Sequence, residues 1–149
     1  MKKESYIEWG TKRLDETIAF PRIAIPQSIF KDRTIAVLEA LTEYLKDSLN
    51  MTYHEIAVLT ARNDRTIWTA YNRAKQKRKI KPIMPRERAI LTIPFSIFKD
   101  RELSVLEVIT EYLKDKKQLT YHEIAFMLNR DDRTIWTVYD RVRKKRKAL

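Results

Sequence analysis

Residues 120–147 read TYHEIAFMLNRDDRTIWTVYDRVRKKRK, and residues 52–79 read TYHEIAVLTARNDRTIWTAYNRAKQKRK. Each is a short helix, a tight turn and a longer helix. Thr120-x-x-Glu123 has the form of a capping box, in which a hydroxyl and a carboxylate each satisfy a free backbone N–H at a helix start; Thr52 and Glu55 repeat it. Ile124, Ala125 and Leu128 make the apolar side of the short helix. Asn129-Arg130-Asp131 ends it, and Asp131 (Asn63 in the first copy) suits the N-cap of the next. That longer helix begins near Asp132, with Ile135, Val138, Tyr139 and Val142 on its inner face.

Upstream, Leu103, Leu106, Ile109 and Leu113 recur at three- and four-residue spacing. They predict a helix over 100–116 with Asp100 as N-cap, and a twin over 32–47. Residues 25–79 align with 93–147 at a constant offset of 68 without a gap, with 35 identities in 55 positions. The chain is therefore a duplication. Two copies are too few for a solenoid, so each builds its own small core or shares one with its twin. The division is a leader at 1–24, a first repeat at 25–79, a linker at 80–92 containing Pro82 and Pro85, and a second repeat at 93–149. A short β-prone run precedes each copy, 22–25 and 89–93, each followed by proline. These runs are either two strands that pair with each other or linker lying against a helix. Copy one has Thr60 and Ala70 where copy two has Leu128 and Val138, so copy one is expected to pack the weaker core.

Composition removes several classes of function. One glycine in 149 residues leaves no glycine-rich phosphate loop or dinucleotide fingerprint. Without cysteine there is no disulfide, thiolate metal site or cysteine nucleophile. No apolar stretch approaches the ~20 residues that span a bilayer, and the start is polar, which together lead to the expectation of a soluble cytoplasmic protein, nucleoid-associated when bound to DNA.

The formal net charge of +11 calls for a polyanionic partner, either nucleic acid or an acidic membrane surface. Its location discriminates. Residues 99–117 carry five basic and five acidic side chains, whereas 133–147 carry seven basic and one acidic, and 65–81 seven basic and none acidic. Five consecutive cations, Arg143 to Lys147, repel one another and exceed any capping need, so an external anion is expected to neutralise them.

Leu119-Thr-Tyr-His-Glu-Ile-Ala, then Leu128, Thr134-Ile135 and Arg141-Val-Arg-Lys-Lys, resembles region four of bacterial sigma factors, within the helix-turn-helix superfamily. The resemblance covers about the last 30 residues of each copy. It implies an all-α protein of two tandem three-helix helix-turn-helix domains, to which the paired runs would add a short two-stranded β ribbon. It also implies that the third helix of each copy enters the major groove. Ala125 and Ala57 then take the small position between second and third helices, and Ile135 and Ile67 the buried position of the recognition helix. Arg133, Thr134, Trp136, Thr137 and Asp140 take groove-facing positions, with Arg65, Thr66, Trp68, Thr69 and Asn72 as their twins. The family's turn glycine is Asn129 here and Ala61 in copy one.

The basic ends supply the candidate phosphate contacts: Arg73, Lys75, Lys77, Arg78 and Lys79 in copy one, and Arg141, Arg143, Lys144, Lys145, Arg146 and Lys147 in copy two. Trp68 and Trp136 lie one step from the buried isoleucine; they either pack beside the first helix or between the copies, or stand out against a thymine methyl or sugar. Tyr53 and Tyr121 either reach phosphate or pack. His54 and His122 lack a second histidine one turn on, so zinc-protease geometry is missing and a solvated position or a phosphate contact is expected.

The expected function is binding of double-stranded DNA, as a transcriptional regulator recognising two half-sites. An architectural DNA-bridging protein and a polymerase- or protein-interaction module are the alternatives. No enzyme activity, cofactor, metal or membrane contact is expected. A homodimer and an RNA polymerase contact stay open.

Overall fold

A computed structural model describes residues 23–80 and 88–148. The expected leader and the two linker prolines lie mostly outside the described residues. The first copy is strand β1 (Ala24–Pro26), a 3-10 turn (Gln27–Lys31), helix α1 (Val37–Glu43) running into a π turn (Tyr44–Ser48), α2 (Tyr53–Thr60) and α3 (Asp64–Ile80). The second is β2 (Thr92–Pro94), a 3-10 turn (Phe95–Lys99), α4 (Val105–Glu111) with its π turn (Tyr112–Lys116), α5 (Tyr121–Leu128) and α6 (Asp132–Ala148). The protein is mostly helical, with one small antiparallel sheet among the described residues.

The capping boxes form as the spacing requires. Thr52 and Thr120 accept from the amides of Glu55 and Glu123, both at 3.1 Å, and both carboxylates accept from the threonine amides at 2.8 Å. Asn63 and Asp131 cap the long helices by accepting from Thr66 and Thr134, both at 2.7 Å.

The first helix of each copy differs from its expected start. It begins at Val37 and Val105, five residues beyond Asp32 and Asp100. Asp100 accepts from the Glu102 amide at 2.9 Å and Asp32 from the Thr34 amide at 2.9 Å, which makes a turn instead of a helix start. The N-cap is Ser104, whose hydroxyl accepts from Glu107 at 3.3 Å while Glu107 accepts from the Ser104 amide at 3.0 Å. Ala36 stands in the equivalent place without a hydroxyl, and only its amide, donating to Glu39 at 3.0 Å, remains of the box.

The two β-prone runs do pair. Ile25 lies opposite Ile93, Ala24 opposite Pro94 and Pro26 opposite Thr92. Ile93 is Ile25 displaced by the repeat offset, so a pseudo-two-fold axis passes between them. Two more bonds obey it: Gln27 donates its amide to Leu91 O at 3.1 Å, and Phe95 to Ile23 O at 2.8 Å. Phe30 and its twin Phe98 meet beside the same axis, ring centroids 6.2 Å apart.

The halves also cross. The 3-10 turn of each copy packs on the second helix of the other. Arg33 donates to Asn129 O at 3.2 Å, and its twin Arg101 donates to Ala61 O at 2.7 Å. Asn129 in turn donates to Lys31 O at 3.0 Å, and Arg62 to Phe98 O at 3.4 Å. One cluster of buried apolar side chains runs through both copies, from Ile25 and Leu41 to Ile109 and Ile135. Thr60 fits this core despite replacing leucine. It is fully buried and its hydroxyl donates to Ile56 O at 2.7 Å.

Both α2 and α5 end on a left-handed residue, Ala61 (φ 56°, ψ 39°) and Asn129 (φ 55°, ψ 50°). The next amides close the turn, Arg62 to Ala57 O at 2.8 Å and Arg130 to Ala125 O at 2.9 Å. A left-handed alanine is held there against its Cβ at a cost of roughly 1–2 kcal/mol. Ala61→Gly is therefore expected to stabilise the fold by about 1 kcal/mol, read from denaturant midpoints, while Asn129→Ala should destabilise it. A second expectation follows from the shared core. Residues 88–149 produced alone should self-associate, pairing Ile93 with its own copy, because a monomer would expose Ile93 and Phe98 at ~1.5–3 kcal/mol each. A stable monomer in analytical ultracentrifugation would show that one copy closes its own core.

Candidate nucleic-acid interface

Helices α3 and α6 are sorted by face. An α-helix advances about 100° per residue, which puts Ile67, Ala70 and Ala74 on one side; all three are buried, as are Ile135, Val138 and Val142. The opposite side of α3 carries Arg65, Thr69, Asn72, Gln76 and Lys79, with Trp68 at its margin. That of α6 carries Arg133, Thr137, Asp140, Lys144 and Lys147, with Trp136. Arg73 and Arg141 flank these stripes and are exposed. Both tryptophans stand 53% exposed, so neither is filling a groove beside the first helix. Beside the α3 stripe lies a cleft of about 450 Å³ lined by Leu38, Arg65, Thr66, Thr69 and Arg73.

The candidate phosphate contacts separate into two groups. Arg78 straddles two carboxylates: it grips Glu43 with Nε at 3.2 Å and Nη2 at 2.8 Å, and Nη1 pairs with Asp32. Arg146 does the same with Glu111, at 2.8 and 2.7 Å, and with Asp100 at 2.7 Å. Lys77 pairs with Glu39 at 2.8 Å and Lys145 with Glu107 at 2.7 Å. Lys75 pairs with Asp47. These five cations tie each long helix to the first helix of its own copy, and the expectation that the whole basic run awaits an external anion is corrected to that extent. Arg73, Lys79, Arg141, Arg143 and Lys147 form no hydrogen-bonded ion pair among the described residues, nor do Arg65 and Arg133. Lys144 meets Asp140 one turn away at 3.0 Å, with its side chain 76% exposed; such a surface pair is weak and readily exchanged.

The remaining groove-facing candidates have local partners. Asn72 donates from Nδ2 to Trp68 O at 2.8 Å, and Thr137 donates to Arg133 O at 2.9 Å. Thr66 and Thr134 sit in the capped first turn. His54 and His122 are exposed, and each Nδ1 lies against the carboxylate at the start of the long helix, Asp64 at 3.1 Å and Asp132 at 3.2 Å. The tyrosine rings are used in packing. Tyr53 meets Tyr71 edge-on at 5.8 Å under Lys46, and Tyr121 meets Tyr139 at 6.0 Å under Lys114. Tyr71 and Tyr139 donate to Asp47 and Asp115, both at 2.6 Å. The bond to Asp115, aided by burial, pushes the Tyr139 hydroxyl up to about 12. No group of side chains able to hold a metal ion occurs among the described residues, and no helix there is long and apolar enough to cross a membrane.

Sequence reasoning missed the carboxylates that receive the inner cations. Their signal was present: Glu39, Glu43 and Asp47 recur every four residues, as do Glu107, Glu111 and Asp115, one acidic stripe per first helix.

No family model, curated protein or solved structure matches the chain.

The inner ion pairs make stability depend on acid. Burial alone would raise the Asp32 carboxyl, but hydrogen bonds from Thr34 and Arg78 outweigh it and hold it below the usual range. Burial is likewise outweighed at Asp100 by Arg146 and the Glu102 amide, and at Glu107 by Lys145 and the Ser104 amide. Carboxyls depressed in the folded state contribute fully above their unfolded pKa, about 4, and lose that contribution as pH falls through the lower folded values. The melting temperature should stay level down to about pH 5 and drop below about pH 4. Arg146→Ala should lower it at neutral pH and flatten the acid limb, as thermal melts across a pH series would show.

Proposed function

We propose that the protein binds double-stranded DNA and acts as a transcriptional regulator. In this reading it is built from two helix-turn-helix units of the kind seen in region four of sigma factors. α2 and α5 brace the units, and α3 and α6 enter the major groove. The observation that carries the reading is the sorting of cations on the long helices. The inner ones are consumed by the first helix, and those left unpaired share one outward face with an exposed tryptophan, in both copies.

A structural role accounts for the inner cations and leaves the outer ones unexplained. Arg73, Lys79, Arg141, Arg143 and Lys147 are then the phosphate contacts, and phosphate contacts supply affinity and orientation. Arg65 and Arg133 stand in the first turn of each long helix, where a guanidinium can take the O6 and N7 acceptors of guanine. Trp68 and Trp136 offer apolar surface to a thymine methyl. Lys75, Lys77, Arg78, Lys145 and Arg146 hold the frame instead.

Binding to a selected site and to random duplex, measured across a salt series, tests this. Joint replacement of Arg143 and Lys147 by alanine should weaken both DNAs alike and flatten the salt slope by up to roughly 0.9 per lost contact. Arg133→Ala should cost ~1–3 kcal/mol on the selected site and much less on random duplex. Lys145→Ala should lower the melting temperature and leave the salt slope unchanged. Equal loss on both DNAs for Arg133→Ala would make that residue a backbone contact. No salt-sensitive duplex affinity in the unmodified protein would overturn the proposal.

A further inference from the structure

We infer that the two halves of the chain read different half-sites, so that the preferred target is an imperfect inverted repeat whose arms diverge under Asn72 and Gln76 on one side and Asp140 and Lys144 on the other. The inference rests on the DNA-binding reading above.

The inverted arrangement comes from the pseudo-two-fold axis through Ile25 and Ile93. Two recognition helices related by such an axis meet one duplex in opposite strand directions. The divergence comes from the outward faces. Arg65, Thr66, Trp68, Thr69, Arg73 and Lys79 have identical twins in Arg133, Thr134, Trp136, Thr137, Arg141 and Lys147. Along the stripe only two positions change, and they lie one turn apart: Asn72 becomes Asp140, and Gln76 becomes Lys144.

The paired change alters hydrogen-bonding character and leaves charge balanced. Asn72 and Gln76 are neutral. Asp140 and Lys144 sum to zero and hold each other at 3.0 Å. The two exchanges therefore leave the net charge of the stripe unaltered, and the difference they make falls on what the side chains can donate and accept. A carboxamide does both. The Asn72 bond to Trp68 O uses one N–H and leaves the other N–H and the carbonyl oxygen, the set that matches N7 and N6 of adenine. An ionised carboxylate only accepts. It matches the cytosine N4 amino group, and it faces the adenine N7 lone pair unfavourably. Lys144 only donates, which suits O6 and N7 of guanine. Copy one is thus fitted to an A·T pair at the position where copy two is fitted to a G·C pair.

Site selection from random duplex, with the full chain and two double variants, tests the inference. The unmodified protein should yield an inverted repeat with one arm A·T and the other G·C at the corresponding position. Asn72→Asp with Gln76→Lys should yield a symmetric G·C site, and Asp140→Asn with Lys144→Gln a symmetric A·T site. Each variant should prefer its symmetric site over the parental one on the order of tenfold, with an unchanged salt slope and melting temperature. A symmetric site selected by the unmodified protein, or a parental site retained by both variants, overturns this inference and leaves DNA binding standing. Absence of any duplex binding by the unmodified protein overturns both.

Discussion

The pairing of Ile25 with Ile93 is the constraint on which the rest of the molecule depends. A unit of about 55 residues buries little apolar surface for its size and is marginal alone. Joining two such units through the strands, with Phe30 against Phe98 beside them, makes one core from two insufficient ones. The join also completes the turn that precedes each long helix. The carbonyl oxygens at the ends of α2 and α5 lack helical partners and carry the negative end of the helix dipole. Arg101 reaches Ala61 O and Arg33 reaches Asn129 O from the opposite copy. Each copy thus steadies the turn of its neighbour.

The long helices show how one basic run divides its work. Composition treats residues 143–147 as a single cationic block, but helical geometry divides them, turning Lys145 and Arg146 toward the first helix and Arg143, Lys144 and Lys147 outward. Arg146 turns in, under two carboxylates, and its charged form is strongly favoured by them. Lys147 turns out and meets none among the described residues. The acidic stripe of α1 and α4 therefore does more than balance charge. By neutralising the inward cations it reinforces the rotation of α3 and α6 that the buried face of Ile67, Ala70 and Ala74, and of Ile135, Val138 and Val142, already sets. That is also why the outward stripe is legible in both copies even though Lys75 is paired with Asp47 and its twin Arg143 is left unpaired.

Much of this was legible in the sequence because it rests on local chemistry. Thr52 with Glu55 and Thr120 with Glu123 announce two helix starts, Asn63 and Asp131 two more, and the period of buried residues in α3 and α6 follows from their apolar spacing. The start of the first helix was not, because Asp100 and Ser104, four residues apart, are both good caps by type. The choice between them was made by Arg146, distant in sequence, which holds Asp100 in a turn. The strand pair was visible only as two β-prone runs. Its register, and the crossing of turns onto the opposite α2 and α5, depend on contacts from 36 to 100 residues apart in the chain. The exposure of Trp68 and Trp136 was equally undecided until the first helix was in place, since either tryptophan could have packed beside it.

The strand pair also has a consequence for how the molecule responds to dilution. Two separate chains joined through strands like β1 and β2 would fall apart at low concentration, as mass action requires of any dimer. Here both strands belong to one chain, so the encounter is intramolecular and its effective concentration is set by the tether and not by the amount of protein present. The two-fold body should accordingly persist in very dilute solution, and its level in a mixture should follow the first power of total protein.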